Sequence, residues 1–163
     1  MKRLLIITLL FLASCGSGNK NYFNIENVEV TEVVGEEYPS AAVLNITLNS
    51  SIGAITLKSS RLRFGVEGRR QVVVTFTDKV KFRRGWQIVT VPIKISVVHN
   101  SLTVKLQEAL AQHESRAIEV DGEIKIRRGL FSKRETLSPT TLDELLTKEQ
   151  MELVWSMIDE NRK

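Results

Sequence analysis

From residue 22 to residue 137 the chain alternates apolar and polar residues with a period of two. This is the pattern of strands with one buried face. The alternation predicts a first strand over Tyr22 to Val34, with Ile25, Val28, Val30 and Val34 among polar partners, ended by a turn at "GEEYP", 35–39. In "AAVLNITLN" the residues Ala42, Leu44, Ile46 and Leu48 share a face, and "SSIG", 50–53, ends the run. One strand is expected from "AITLKSSRLRFGV", with Leu62, Phe64 and Val66 inward and Arg61 and Arg63 outward. Glu67-Gly68 reads as a hairpin turn into "RRQVVVTFT", where Val72, Val74 and Phe76 align. The longest alternation places Val89, Val91, Ile93, Ile95 and Val97 on one face. Pro92 cannot donate to a ladder, so that strand is expected at an edge or with a bulge.

The period then lengthens. In "NSLTVKLQEALAQH", Leu102, Leu106, Ala109, Leu110 and His113 recur at helical spacing, with Asn100 as N-cap. Alternation returns through Ile118, Val120, Ile124, Ile126 and Leu130, with Gly122 in register. The tail is helical. "TLDE", 141–144, and "TKEQ", 147–150, both fit the capping box, and Met151, Val154, Trp155 and Ile158 form an apolar stripe. About seven strands, a mid-chain helix and a helical tail predict a mainly β chain built as an antiparallel sandwich.

The first residues are of another kind. Lys2 and Arg3 precede a nine-residue apolar run, Leu4 to Leu12, broken only by Thr8. That is the form of a secretory signal peptide, and it is far short of the roughly 20 residues a spanning helix needs. It ends in Leu12-Ala13-Ser14-Cys15, and Cys15 is the only cysteine of the 163 residues. "LASC" resembles the bacterial lipobox. The resemblance implies cleavage between Ser14 and Cys15, a diacylglyceryl group on the thiol, and an acyl chain of the palmitate type on the freed amine. Residues 1–14 are then the signal peptide and 15–21 the lipidated cysteine with a flexible Gly/Ser/Asn spacer. Gly16, where Asp would favour the inner membrane, favours the outer membrane.

Charge adds one feature. The net charge of +4 falls to about +2 once Lys2 and Arg3 are set aside, leaving 21 basic against 19 acidic residues, too mild for a nucleic-acid partner. The basic residues are concentrated, however. Lys58, Arg61, Arg63, Arg69, Arg70, Lys79, Lys81, Arg83 and Arg84 face only Glu67 and Asp78, a local balance of +7. Such charges guard strand edges. The sharper expectation is contact with anionic headgroups or phosphates, with Arg61, Arg63, Arg69, Arg70, Lys79, Lys81, Arg83 and Arg84 supplying charge and Trp86 an interfacial aromatic.

The run "ITLNSSIGAITLKSSRLRF", a Val-rich strand, "VTVPIKISV", a helix with "LQEAL" and "IEVDGEIKI" follow one another in an order that resembles the late embryogenesis abundant group 2 domain. This family is also called the water-stress and hypersensitive-response domain. The resemblance covers about Ile25 to Leu137. It implies an immunoglobulin/fibronectin-III-like β-sandwich with one crossover helix over residues 22–138, here followed by an added C-terminal helical segment over 139–163. Where that family has Asn-Pro-Asn after its second strand, this chain reads Asn49-Ser50-Ser51. The family carries no catalytic set.

The residues themselves offer little chemistry. There is no Ser/His/Asp order in a nucleophile-elbow context, no glycine-rich phosphate loop and no His pair at metal spacing. His113 falls on the apolar helix face, His99 at a strand-to-helix junction, and Asp121 and Glu123 on a solvated strand phase. All four read as structural, and Trp155 reads as packing. The expectation is a lipid-anchored, non-catalytic binding or structural domain of the bacterial cell envelope. Its partners are the membrane, through Cys15, and anionic lipid or envelope proteins; no cofactor or metal is expected. The competing expectation is an envelope-acting enzyme that uses carboxylates outside any familiar motif.

Overall fold

The computed structural model describes residues 23–35, 40–98 and 100–160. The leader, Cys15 and its spacer, Tyr22, most of the "GEEYP" segment and His99 lie outside the described residues, as do the side chains of Phe23, Asn100, Ser101, Leu102, Thr103 and Met157. Strands β1 (Phe23–Val34), β2 (Ala41–Ser50), β3 (Ile55–Leu57), β4 (Ser60–Val66), β5 (Arg69–Phe76), β6 (Val80–Phe82) and β7 (Gly85–Val97) precede helix α1 (Asn100–Ala111). Strands β8 (Ile118–Arg128) and β9 (Phe131–Thr141) follow, then the one-turn α2 (Leu142–Leu145) and α3 (Lys148–Glu160). The strands form one antiparallel sheet in the order β1-β2-β7-β5-β4-β8-β3-β6, with β9 on the other edge of β8.

The register carries a single apolar face across this sheet. Leu44 stands opposite Val91, Ile93 opposite Phe76, Val74 opposite Leu62, and Phe64 opposite Val120. Leu44, Ile46, Leu62, Phe64, Val74 and Phe76 are fully buried. Helix α1 lies against β4, β5 and β8, and alternate residues of β2 are buried as well. Such a mainly β antiparallel arrangement is consistent with a sandwich.

The chain has two distinct ends. The last residues of β2 and the first of β1 and β7 meet at Phe23, Ser50 and Gly85. Beyond β4 and β5 in the same direction come β3, β6 and the turn between β8 and β9, where Arg128 pairs with both Ile55 and Phe131. We call this the hairpin end. At the other, helical end lie α1, the β4–β5 turn and α2, which follows β9 directly.

Several expectations need correction. Among the described residues the sheet has nine strands where about seven were expected, because "AITLKSSRLRFGV" breaks at Lys58-Ser59 into β3 and β4, and β6 and β9 are separate elements. β7 is interior and unbulged at Pro92. The N–H of Ile95 donates to Ser40, on the β2 side, and that of Val98 to Gln71 on the β5 side. By alternation Pro92 therefore turns its missing donor toward β5, whose pairing has already ended at Phe76 opposite Ile93. No ladder bond is lost. Leu130 leaves the apolar face altogether. It occupies a two-residue turn between Arg128 and Phe131 with Gly129 at φ 59°, and it is 91% exposed. β9 continues past the expected boundary at Ser138 to Thr141.

The two expected caps differ. At "TKEQ" the Thr147 N–H donates to Gln150 Oε1 (2.9 Å) and the Gln150 N–H to Thr147 Oγ1 (3.3 Å), a complete capping box. At "TLDE" Thr141 makes no cap bond, its hydroxyl being given to Asp143 instead. His113 lies beyond α1 rather than on its face. It takes φ 58° while its N–H reaches Leu110 (3.4 Å) and that of Glu114 reaches Ala109 (2.9 Å), the hydrogen-bond pair of a Schellman motif. The ring stacks on Trp155 at 4.6 Å and meets Asp159 at 3.1 Å. Val154 and Ile158 of the tail stripe are fully buried in the common core.

Gly122 is the tightest point. Its φ is 155°, and a Cβ there would lie 2.1 Å from the carbonyl oxygen of Arg61. Gly122→Ala is expected to cost on the order of 3 kcal/mol in denaturant unfolding. Gly68→Ala, at φ 72° with open space around it, should cost about 1 kcal/mol.

The caps also give a pH dependence. Its own backbone N–H, helped by Thr147, holds the Glu149 carboxyl below its usual value, and the Thr141 hydroxyl does the same for Asp143. Lowered carboxyl values favour the charged forms in the folded protein. The stability they add is present above the ordinary value of 4.5 for Glu149 and is lost as the pH falls below it. Glu149→Gln should flatten this acid limb when unfolding is followed through Trp155 emission.

Candidate anionic-surface interface

Strand alternation sends Arg61 and Arg63 of β4 and Asp121, Glu123 and Lys125 of β8 to the outer face of the sheet, opposite the core. Arg61 stands across from Glu123 and Arg63 across from Asp121. β9 bulges beside this row. Val120 pairs with Thr140 and Gly122 with Leu137, so Ser138 and Pro139 together oppose Asp121. The side chain of Asp121 is 7% exposed. Arg63 Nε donates to its Oδ1 at 2.7 Å, and Arg70 Nη2 donates to its Oδ2. A carboxylate so enclosed requires such partners, because leaving it unpaired would forfeit its hydration without return. Both of its oxygens are engaged in ion pairing, and Glu123 is exposed and 4.0 Å from Arg134.

Two clefts flank this clamp and share Arg63 as a wall. One of about 360 Å³ is lined by Ser59, Ser60, Arg61, Thr75, Glu123 and Lys125 together with Gly122. The other, about 370 Å³, lies under Arg69, Arg70, Glu119, Asp121 and Pro139. The first is mostly polar and the second mostly apolar, with arginines on the walls of both. Among the described residues Arg61, Arg69 and Lys125 have no ion-pair partner.

The sequence-predicted contact residues do not form one patch. Arg61 and Arg63 lie at mid-sheet. Arg69 and Arg70 open β5 at the helical end, and Arg63 and Arg70 are committed to Asp121. Lys79, Lys81, Arg83, Arg84 and Trp86 gather at the hairpin end. Lys81 lies on β6, and Arg83 and Arg84 lie in the β6–β7 turn. Gln87 holds that turn: its Oε1 accepts from the Arg83 N–H (2.9 Å), and its Nε2 donates to the Arg83 carbonyl. Trp86 is 58% exposed and Ile88, two residues on along the same outer face, is 70% exposed.

The sequence reading missed the hairpin that joins β8 to β9. Every residue from Arg127 to Arg134 is exposed. Arg127 Nε donates to the Gly129 carbonyl (2.9 Å), and Lys58 Nζ donates to Ser132 Oγ (3.1 Å), fastening the hairpin to the β3–β4 junction. The Lys133–Glu135 pair at 2.8 Å raises the Lys133 ammonium above its usual value, first by that hydrogen bond. The available signal was "RRGLFSKR", four basic residues around Gly-Leu-Phe. It was masked because Leu130 continues the apolar phase of β8.

No family model matches the chain, and no curated protein matches it. A solved structure of a protein from Archaeoglobus fulgidus is similar over 72% of this chain and 97% of that one, at 14% identity and a TM-score of 0.37.

The clamp predicts its own mutational signature. Asp121→Asn leaves two guanidinium groups facing each other across a buried amide. Unfolding in urea should show a loss of about 2 kcal/mol, below the range for fully buried pairs because both arginines reach solvent.

Proposed function

We propose that this chain is a lipid-anchored, non-catalytic domain of the bacterial cell envelope, held to the outer membrane through Cys15 and working by contact with the membrane surface or with envelope proteins. One observation carries the reading: the described chain begins, at Phe23, on the same end of the sheet as Lys79, Lys81, Arg83, Arg84 and Trp86. A lipid on Cys15, joined to β1 by a short spacer, would bring that basic end to face the bilayer. Each basic group near an anionic leaflet contributes about 1 kcal/mol, enough in sum to set an orientation on the tether. The engagement of Asp121 with two arginines supports a binding rather than an acid–base role for this face. For the finer fold, the antiparallel strand order and the placement of α1, which leads from β7 past β5 and β4 to β8, support an immunoglobulin/fibronectin-III-like sandwich with one crossover helix. These features agree with the resemblance to the late embryogenesis abundant group 2 domain. Ser50, which stands where that family has proline, closes the turn instead, its hydroxyl donating to the Ile52 carbonyl at 2.6 Å.

Metabolic labelling with a fatty acid tests the anchor. Cys15→Ala should take up no label and leave the membrane fraction as a soluble or uncleaved species. Label retained on that variant would refute the lipobox reading.

A further inference from the structure

The geometry points to the β8–β9 hairpin tip as a membrane-inserting finger, with Leu130 and Phe131 entering the acyl boundary of an anionic bilayer and Arg127, Arg128, Lys133 and Arg134 gripping its phosphates. Leu130 and Phe131 are 91% and 84% exposed, at the far point of a hairpin that has run beyond the core. A monomer in water gains nothing by presenting two large apolar side chains at a turn, where polar residues are the norm. Their surroundings name the partner. Cross-strand register puts Arg128 and Lys133 on the face of the hairpin that carries Phe131, and Arg127 and Arg134 on the opposite face. The apolar tip is therefore ringed by cations on both sides. Guanidinium forks suit phosphate oxygens, and long basic stems can lie along lipid while the charge stays at the headgroups. The exposed Lys79, Lys81, Arg83 and Arg84 continue the same sign of charge at this end. Lys133 and Arg134 carry surface pairs to Glu135 (2.8 Å) and Glu123 (4.0 Å) that a phosphate can replace, and among the described residues Arg127 and Arg128 have no ion-pair partner. An acidic protein groove would satisfy the cations, yet Leu130 lies in the turn beyond the last cross-strand pair, Arg128 with Phe131, and an apolar tip with cations level with and behind it suits a soft surface with charge outside and hydrocarbon beneath.

The finger deepens the envelope reading by supplying a second attachment beside the lipid, and it rests on that reading only for the source of the membrane. The test uses the full chain with Cys15→Ala, in which Leu130→Cys provides the single thiol for an environment-sensitive fluorophore. A second preparation carries the thiol at Gln112→Cys, on the helical end. Vesicles are phosphatidylcholine alone or with about a third phosphatidylglycerol, and flotation is read on the same samples. With anionic vesicles the Leu130→Cys probe should brighten about threefold and shift to the blue, with quenching by nitroxide-bearing acyl chains. The Gln112→Cys probe should not respond. Replacing Arg127 and Arg128 by Gln should raise the half-saturating lipid concentration about fivefold per charge.

A chain that floats through its leader while the Leu130→Cys probe stays in water overturns the finger and leaves the anchored reading intact. An equal response to neutral and anionic vesicles, or an equal response of both probes, overturns it as well. Normal tip insertion by a protein whose Cys15 takes up no fatty acid in cells would instead refute the anchor and spare the finger.

Discussion

The carbonyl of Arg61 and the backbone of Gly122 approach so closely that a methyl group on residue 122 would lie 2.1 Å from the oxygen. Much of the architecture depends on this contact between β4 and β8. It lets β8 pair along one edge with both β4 and β3 and along the other with β9, so a single strand of 11 residues links three partners. The bulge of β9 at Ser138-Pro139 and the enclosure of Asp121 by Arg63 and Arg70 occur at the adjoining residue. With β8 so placed, one of its ends is committed to α1 and α2 and the other to the turn at Gly129-Leu130. A side chain at position 122 would push the two strands apart, and the ion pair from Arg63 to Asp121 would open with them.

Alternation in the sequence made β2, β4, β5 and β7 legible, because each is long enough for three to five inward apolar residues to declare a face. Short strands escaped it. β3 and β6 have three residues apiece, too few to establish a period, and they exist because β4 and β5 lead them onto neighbouring edges. β9 escaped for a different reason. Its inward phase past the core carries Lys133 and Glu135, so no burial shaped its composition. Leu130 was misread because a tight turn preserves the phase of the strand before it, and periodicity cannot tell a turn from a continuation. In β1 the opposite happened. The spacing of three between Ile25 and Val28 breaks alternation, yet both are buried because the ladder slips between Ile25 and Asn27.

The candidate site was only partly legible, for reasons of length. Arg70 and Lys79 are nine positions apart in sequence, yet the steps of β5 from Arg70 to Phe76, at ~3.3 Å each, already carry the chain about 20 Å. Charge clustered in sequence is therefore dispersed in space. Conversely, Lys81 and Arg127 are distant in sequence and lie in one row, each paired with Thr56. The commitment of Arg63 and Arg70 to Asp121 was beyond any reading of charge, since it depends on the bulge that isolates that carboxylate.

The free margins of the sheet have a consequence for how the protein behaves in crowded company. A strand at a margin is a template on which a second chain can extend the ladder, and long, straight margins seed aggregation. Beside the three-residue β6 at the end of the strand order, the two long margins are uneven. β1 slips register twice, between Ile25 and Asn27 and again between Val30 and Glu32, and presents Glu26, Glu29 and Glu32. β9 is broken by the bulge at Ser138-Pro139, where a proline cannot donate. A strand arriving at either margin would find stretches too short to register against before the next dislocation. Such margins let copies be crowded together at high local density without one sheet growing from another.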